Sequence, residues 1–184
     1  MDAYERQAAR WESGPTLADV VGPGMSLLLV GLNPSVYSAL QGVAFARPGN
    51  RFWPAALQAG IVSVDRDPRH ALREHHVGFT DIVKRATTRA DELSREEYQA
   101  GAERLRGVVE WLAPKVVVFL GVTGYRIAID RRALLGIQTA NFGGAATYVM
   151  PNPSGLNAHT NVKDLVEHFQ SVARLASSVA NASR

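Results

Sequence analysis

Four short apolar runs punctuate the chain: LLLV at 27–30, VGFT at 77–80, VVVFL at 116–120 and TYVM at 147–150. Continuous runs of this length between turn residues mark strands buried on both faces. The run at 116–120, held between Pro114 and Gly121, is the clearest; Gly78 weakens the run at 77–80. Between these runs, apolar residues recur at helical spacing. Residues 52–59 form one such stretch, ending before Gly60. Residues 94–112 form the best one: Ser94 and Glu97 make a capping-box pattern, and Tyr98, Ala102, Leu105, Val109 and Leu112 share a face. Residues 124–129 read as a further helix. The last helix is expected over 161–175, with Leu165, Val166, Phe169, Val172 and Leu175 as its buried stripe. Strands alternating with helices predict an α/β sandwich around a mostly parallel, four-stranded sheet. Residues 12–24 read as a surface lead-in and ASSVANASR as a polar C-terminal tail, so one domain over 1–184 has its core at about 24–175.

In such sheets ligands bind beyond the carboxyl ends of the strands. The first and last runs end there in the same tripeptide, Asn33-Pro34-Ser35 and Asn152-Pro153-Ser154. Asn33 reads in two ways. Asn-Pro is a common turn-starting pair. An Asn amide held after a strand also accepts and donates hydrogen bonds at once, and so orients a water, although it is no general base. Phe45 lies in a loop rich in Gly and Pro, where it is either a core anchor or an aromatic platform for a planar base. Arg47 and Arg51 add positive charge nearby, while Trp53 opens a helix face and reads as core.

Composition narrows the chemistry. The 184 residues are 46% hydrophobic, enough for a sizeable core, and carry a net charge of +3, a mild lean toward polyanions. There is no cysteine, which excludes disulfides, thiol nucleophiles and cysteine-bound iron–sulfur clusters. The apolar runs fall far short of the ~20 residues a membrane helix needs. The first fourteen residues are charged, without a signal-peptide apolar region, and the sequon at 181–183 is discounted because nothing suggests secretion. No G-x-G-x-x-G follows a strand and no G-x-x-x-x-G-K-[ST] is present, which argues against dinucleotide and P-loop enzymes. His70, Glu74, His75 and His76 match no ligand spacing, and Arg69 and Arg73 beside them repel a cation, so no metal is expected.

Two long signatures carry a resemblance. GLNPS…SA…G…FARPGNRFW and PNPSGLN, with GFTDIVKRATTRADELSREEY between them, resemble the mismatch-specific uracil-DNA glycosylase family and its thymine-DNA glycosylase relatives, over about 24–175. The resemblance implies a three-layer α/β/α sandwich with a short central sheet. It implies excision of uracil from double-stranded DNA, chiefly opposite guanine, and of etheno-cytosine, by a monomer of the bacterial cytosol and nucleoid that needs no cofactor. Asn33 matches the catalytic Asn that places the attacking water, and Phe45 the aromatic under the extruded base. Asn152 heads the second motif, while Gly155 and Leu156 match the wedge that enters the duplex and meets the opposite strand. A flipped base leaves a gap that an apolar wedge fills. Backbone N–H groups around Leu32 and Phe45 suit the uracil anion that leaves. Ser38 aligns with a position near the base's 5-edge. Ser35 and Ser154 either bond phosphate or cap turns, and Thr160 and Asn161 either cap the last helix or meet a phosphate.

The departures from the pattern are as informative. Asp81 stands where the family commonly has Lys or Asn. A carboxylate there is a general base that shares the water with Asn33, a helix cap, or a partner for Lys84 or Arg85. Ala158 replaces an Arg that helps grip the opposite strand, leaving Asn157 or His159 to compensate. Ser35 stands where the family often has Gly. Arg85, Arg89 and Lys163 are candidates for phosphate contact or plain surface. No nucleophilic lysine lies at the motifs, so a monofunctional glycosylase is expected. The alternative is a damage-binding module with the same fold and little turnover.

Overall fold

The computed structural model describes residues 15–182. The charged stretch at 1–14 and the last residue of the 181–183 sequon lie outside the described residues.

The four apolar runs are strands, each as read or one residue longer: β1 (Leu27–Gly31), β2 (Val77–Asp81), β3 (Val116–Leu120) and β5 (Ala146–Met150). A fifth, β4 (Gly136–Ile137), corrects the expected count of four. The sheet order is β2-β1-β3-β5-β4, with every pairing parallel except β4 against β5. Strand β4 has only two residues, too few to stand out as a run of its own. Successive strand residues face opposite sides. Leu27, Leu29, Val116, Val118, Tyr148 and Met150 pack on α2 (Phe52–Gln58) and α6 (Val162–Ala182). Leu28, Val30, Val117, Phe119 and Val149 pack on α4 (Arg95–Leu112) and α5 (Val122–Ala128). The result is the expected three-layer α/β/α sandwich.

Helix α4 has its capping box: Glu97 N donates to Ser94 Oγ and Ser94 N to the Glu97 carboxylate. Two helices lacked a readable apolar stripe. α1 (Val36–Gln41) is one and a half turns, capped by Ser35. α3 (Pro68–His75) relies on Asp67 as cap and a proline in its first turn, and buries only Pro68 and Ala71.

Both ends of the described residues depart from expectation, the lead-in from residue 15 onward. The lead-in is a structural edge: Val20 and Phe79 exchange backbone hydrogen bonds of 2.9 and 2.8 Å, and Leu17 is buried. It covers the outer side of β2, which would otherwise be an open sheet edge. The polar tail is helical as far as Ala182. Ser177 and Ser178 turn their hydroxyls back onto Ala173 O and Leu175 O, so these polar residues cost the helix little. No helix of the described residues is long and apolar enough to cross a membrane.

Candidate active site

A parallel sheet delivers its loops to one end, and here the loops after β1, β2, β3 and β5 enclose a cleft of about 660 Å³. Leu32, Asn33, Ser35, Ser38, Phe45, Asp81, Asn152, Ser154, Leu156 and Asn157 all border it. Residues spread over more than 120 positions of sequence are therefore brought together. Gly155 lies beside them in the same loop, whereas Lys163 is exposed on the first turn of α6.

Asn33 leaves β1 and is fixed through its amide nitrogen. Nδ2 donates to Arg85 O at 3.0 Å and to Thr87 Oγ1 at 2.7 Å. Thr87 Oγ1 in turn donates to Arg89 O at 2.8 Å, so its lone pair is what Asn33 meets. Both amide hydrogens are thereby committed, and Oδ1 is the atom Asn33 offers to a ligand. Thr87 is buried, and its backbone also bonds Pro34 O and Val36 N, tying the Asn33 loop to the segment after β2.

Asp81 ends β2 directly opposite Gly31. A Cβ at residue 31 would lie 2.3 Å from Asp81 Oδ1 and 3.4 Å from the Phe45 ring, so only glycine lets carboxylate and ring come this close. The open alternatives for Asp81 now separate. It caps no helix. Lys84 pairs with Asp19 at 2.6 Å and Arg85 with Glu97 at 2.7 Å, so neither is its ion-pair partner. Burial pushes the Asp81 carboxyl up from 3.8 to about 7; Asp19 adds to the rise, while Lys84 and Arg104 oppose it. Arg104 holds the backbone rather than the carboxylate, donating to Asp81 O at 2.6 Å. A carboxylate buried in a cleft and poised near neutrality is suited to accepting a proton.

Phe45 sits at φ 56°, in the left-handed region that a bulky side chain rarely adopts. Both neighbours hold it there. Trp53 Nε1 donates to Ala44 O at 2.8 Å, and Ala46 N donates to Ser38 Oγ at 3.1 Å. The ring stacks on Phe52, 4.3 Å between centroids and 22° between planes, and also borders the cleft. Trp53 is fully buried, as its helix position implied. Ser38, likewise buried, is thus an anchor of the Phe45 loop as well as a cleft residue. Leu32 packs outward on α5, where a Cβ at Gly124 would lie 2.0 Å from its Cδ2.

Asn152 is fixed through the opposite atom: its Oδ1 accepts from Ser154 N at 2.9 Å, leaving Nδ2 as its donor for a ligand. Ser154 Oγ accepts from Leu156 N at 3.3 Å, so Ser154 caps its turn just as Ser35 caps α1. Leu156 is 82% exposed at the rim. Asn157 has its side-chain amide engaged inside the loop, with Asn152 O and Thr160 Oγ1 as acceptors. Asn161 and Asp164 cap α6 reciprocally, which favours the helix-cap reading there. Arg85 and Arg89 are held by Glu97 and Asp91, which leaves Lys163 and Arg47 as the more available cations.

Two residues that organise the site were not singled out for it in the sequence. Thr87 lies within the middle segment of the resemblance, but nothing there gave it a role, because its partner Asn33 is 54 positions away. Arg51 read only as positive charge near Phe45, yet its guanidinium donates into the 154–160 loop.

The chain matches the profile of the uracil DNA glycosylase superfamily over residues 18–174. Its structure is similar to the solution structure of a candidate uracil DNA glycosylase from Methanosarcina acetivorans. That match has a TM-score of 0.61 at 19% identity, covering 88% of this chain and 97% of the other. At that identity the likeness speaks for the fold.

Proposed function

Because this chain belongs to the uracil-DNA glycosylase superfamily, we propose that it is a monofunctional, mismatch-specific member. In this reading it flips uracil out of duplex DNA, chiefly from G·U pairs, hydrolyses the N-glycosidic bond and so starts base excision repair. Etheno-cytosine is a second substrate. The observation that carries the reading is the pairing, in one cleft, of an Asn fixed to offer an acceptor with a buried carboxyl poised near neutrality.

Leu156 enters the stack as the lesion leaves it, which offsets part of the few kcal/mol that flipping costs. A G·U pair opens more readily than a matched pair, which favours mispaired uracil. The base lies over the Phe45 ring, and Asn152 Nδ2 donates to a uracil carbonyl. As the bond lengthens, positive charge grows on the sugar and negative charge on uracil. Backbone N–H groups at Leu32 and Phe45 face that anion. A water held by Asn33 Oδ1 gives its proton to Asp81 and its oxygen to the sugar carbon, while the electron pair of the broken N-glycosidic bond leaves with uracil as an anion that then takes a proton from solvent, leaving an abasic site. Lys163 and the Ser154 hydroxyl contact phosphates, while Ser35 is spent on its own turn, and the turn that carries Gly155 and Asn157 lies against the opposite strand. The protein acts as a monomer, a single domain working in the cytosol and nucleoid.

The test is single-turnover excision from oligonucleotides carrying uracil opposite G, uracil opposite A, uracil in single strand, thymine opposite G, and etheno-cytosine. The expected order places G·U first. Tight binding without release of any base would replace this reading with a damage-binding module.

A further inference from the structure

The loop after β5 has no regular structure between Pro151 and the start of α6, so its carbonyls have no ladder to join. Four of them converge on one side chain. Arg51 Nη1 donates to Thr160 O at 2.6 Å, to Asn157 O at 2.8 Å and to Ser154 O at 3.4 Å, and Nη2 donates to Gly155 O at 3.3 Å. The Arg51 backbone N–H adds a fifth bond, to Pro153 O at 2.9 Å. The base of this clamp is rigid. Arg51 precedes Phe52 and Trp53, both fully buried, and Asn50 Oδ1 accepts from Phe52 N at the same helix start. A second contact closes the unit: a Cβ on Gly155 would lie 2.6 Å from Gly49 O, so the two loops touch backbone to backbone. Leu156 stands between the clamped carbonyls of Gly155 and Asn157, itself exposed.

We infer that Arg51 is the positioning residue of the duplex-opening loop, holding Leu156 in its inserting posture before DNA arrives. The inference rests on the wedge role proposed for Leu156. A guanidinium is required because its fork spreads donors over several acceptors, whereas a lysine ammonium is a point charge. Arg51 then serves only substrates whose stack must be opened, and contributes little where it is already open. It also contacts no phosphate.

The test compares wild type, Arg51→Lys, Leu156→Ala and the double variant in single-turnover excision. One substrate is a G·U duplex; the other holds the same uracil in a mismatched bubble. A 2-aminopurine beside the uracil reports stack opening whether or not the bond breaks. Arg51→Lys is expected to lose about tenfold or more on the duplex and its 2-aminopurine signal, with less than about a twofold loss on the bubble. Leu156→Ala should cost little further once Arg51 is replaced, since coupled residues are non-additive. The salt slope of DNA binding should be unchanged in Arg51→Lys and Arg51→Gln. Equal losses on both substrates would mean that Arg51 serves only folding. A slope reduced by about one in Arg51→Gln would make it a phosphate contact; full additivity with Leu156→Ala would also overturn the inference. Absence of excision by the wild type on both substrates would sink the glycosylase reading alone, because the fluorescence still compares the variants.

Discussion

The loops after β1 and β5 share the tripeptide Asn-Pro-Ser, border the same cleft, and are wired in opposite senses. In the first, Asn33 gives both amide hydrogens to the protein and keeps its oxygen for a ligand. In the second, Asn152 gives its oxygen to Ser154 N and keeps its nitrogen. One loop presents an acceptor, as a water donating its proton requires. The other presents a donor, as a uracil carbonyl requires. Identical residues at equivalent strand ends therefore acquire opposite chemistry from their hydrogen-bond partners. The two serines, by contrast, do the same work, each capping the turn that follows.

The largest expected effect separates the bond-breaking side from the base-holding side. Asp81→Asn should lower single-turnover excision by about 10²–10⁴-fold, the usual contribution of a positioned general base. Wild-type rate should rise with pH and level off around 7, where the buried carboxyl ionises, and the variant should lose that inflection. The same substitution has a stability signature of known sign. The folded-state pKa of about 7 lies above the ordinary 3.8, so the folded protein binds the proton more tightly. Stability from this group is full below pH ~4 and is lost as pH rises toward 7, by at most about 4 kcal/mol. Thermal melts should therefore show Asp81→Asn gaining on wild type at pH 8 and not at pH 4.

Next in size, Asn33→Ala should slow excision about 100-fold through misplacement of the water, with DNA affinity unchanged in a titration. Asn152→Ala should do the reverse, weakening uracil binding up to about tenfold, the value of one hydrogen bond. If both variants moved rate and affinity alike, the two loops would have no separate duties. The smallest effect sharpens the wiring itself. Thr87→Val removes one of the two acceptors of Asn33 Nδ2 and should cost several-fold in rate, with Thr87→Ser restoring it. In an Asn33→Ala background the same change should cost nothing, because Thr87 acts through Asn33. Additive losses would make Thr87 a fold residue only.

Much of this was legible in the chain, for identifiable reasons. Residues 116–120 announced a strand because burial on both faces forces a continuous apolar run. Ser94 and Glu97 announced a helix start because their pairing is local in sequence. Asp81 stood out as a carboxylate at a strand end, although its neighbours Lys84 and Arg85 suggested ion pairs that the fold gives to Asp19 and Glu97. What stayed hidden depends on distant partners or on backbone. Arg51 reaches carbonyls 103 or more positions away, and carbonyls carry no sequence signal. The donor or acceptor sense of each Asn is set by Arg85 O and Thr87 Oγ1 in one case and by a backbone N–H in the other. Strand β4 and helices α1 and α3 are too short or too polar to leave a period.

The proposed division of labour between the two loops can be measured with one pair of readings. Single-turnover uracil release is compared with equilibrium binding to a G·U duplex whose uridine carries a 2′-fluorine, which disfavours the cationic sugar and so resists cleavage. Asn33→Ala should bind this duplex as tightly as wild type while releasing uracil about 100-fold more slowly, and Asn152→Ala should bind it more weakly. Asn33→Ala losing affinity in proportion to rate, or Asn152→Ala slowing release with binding intact, would contradict the assignment of water to one loop and base to the other.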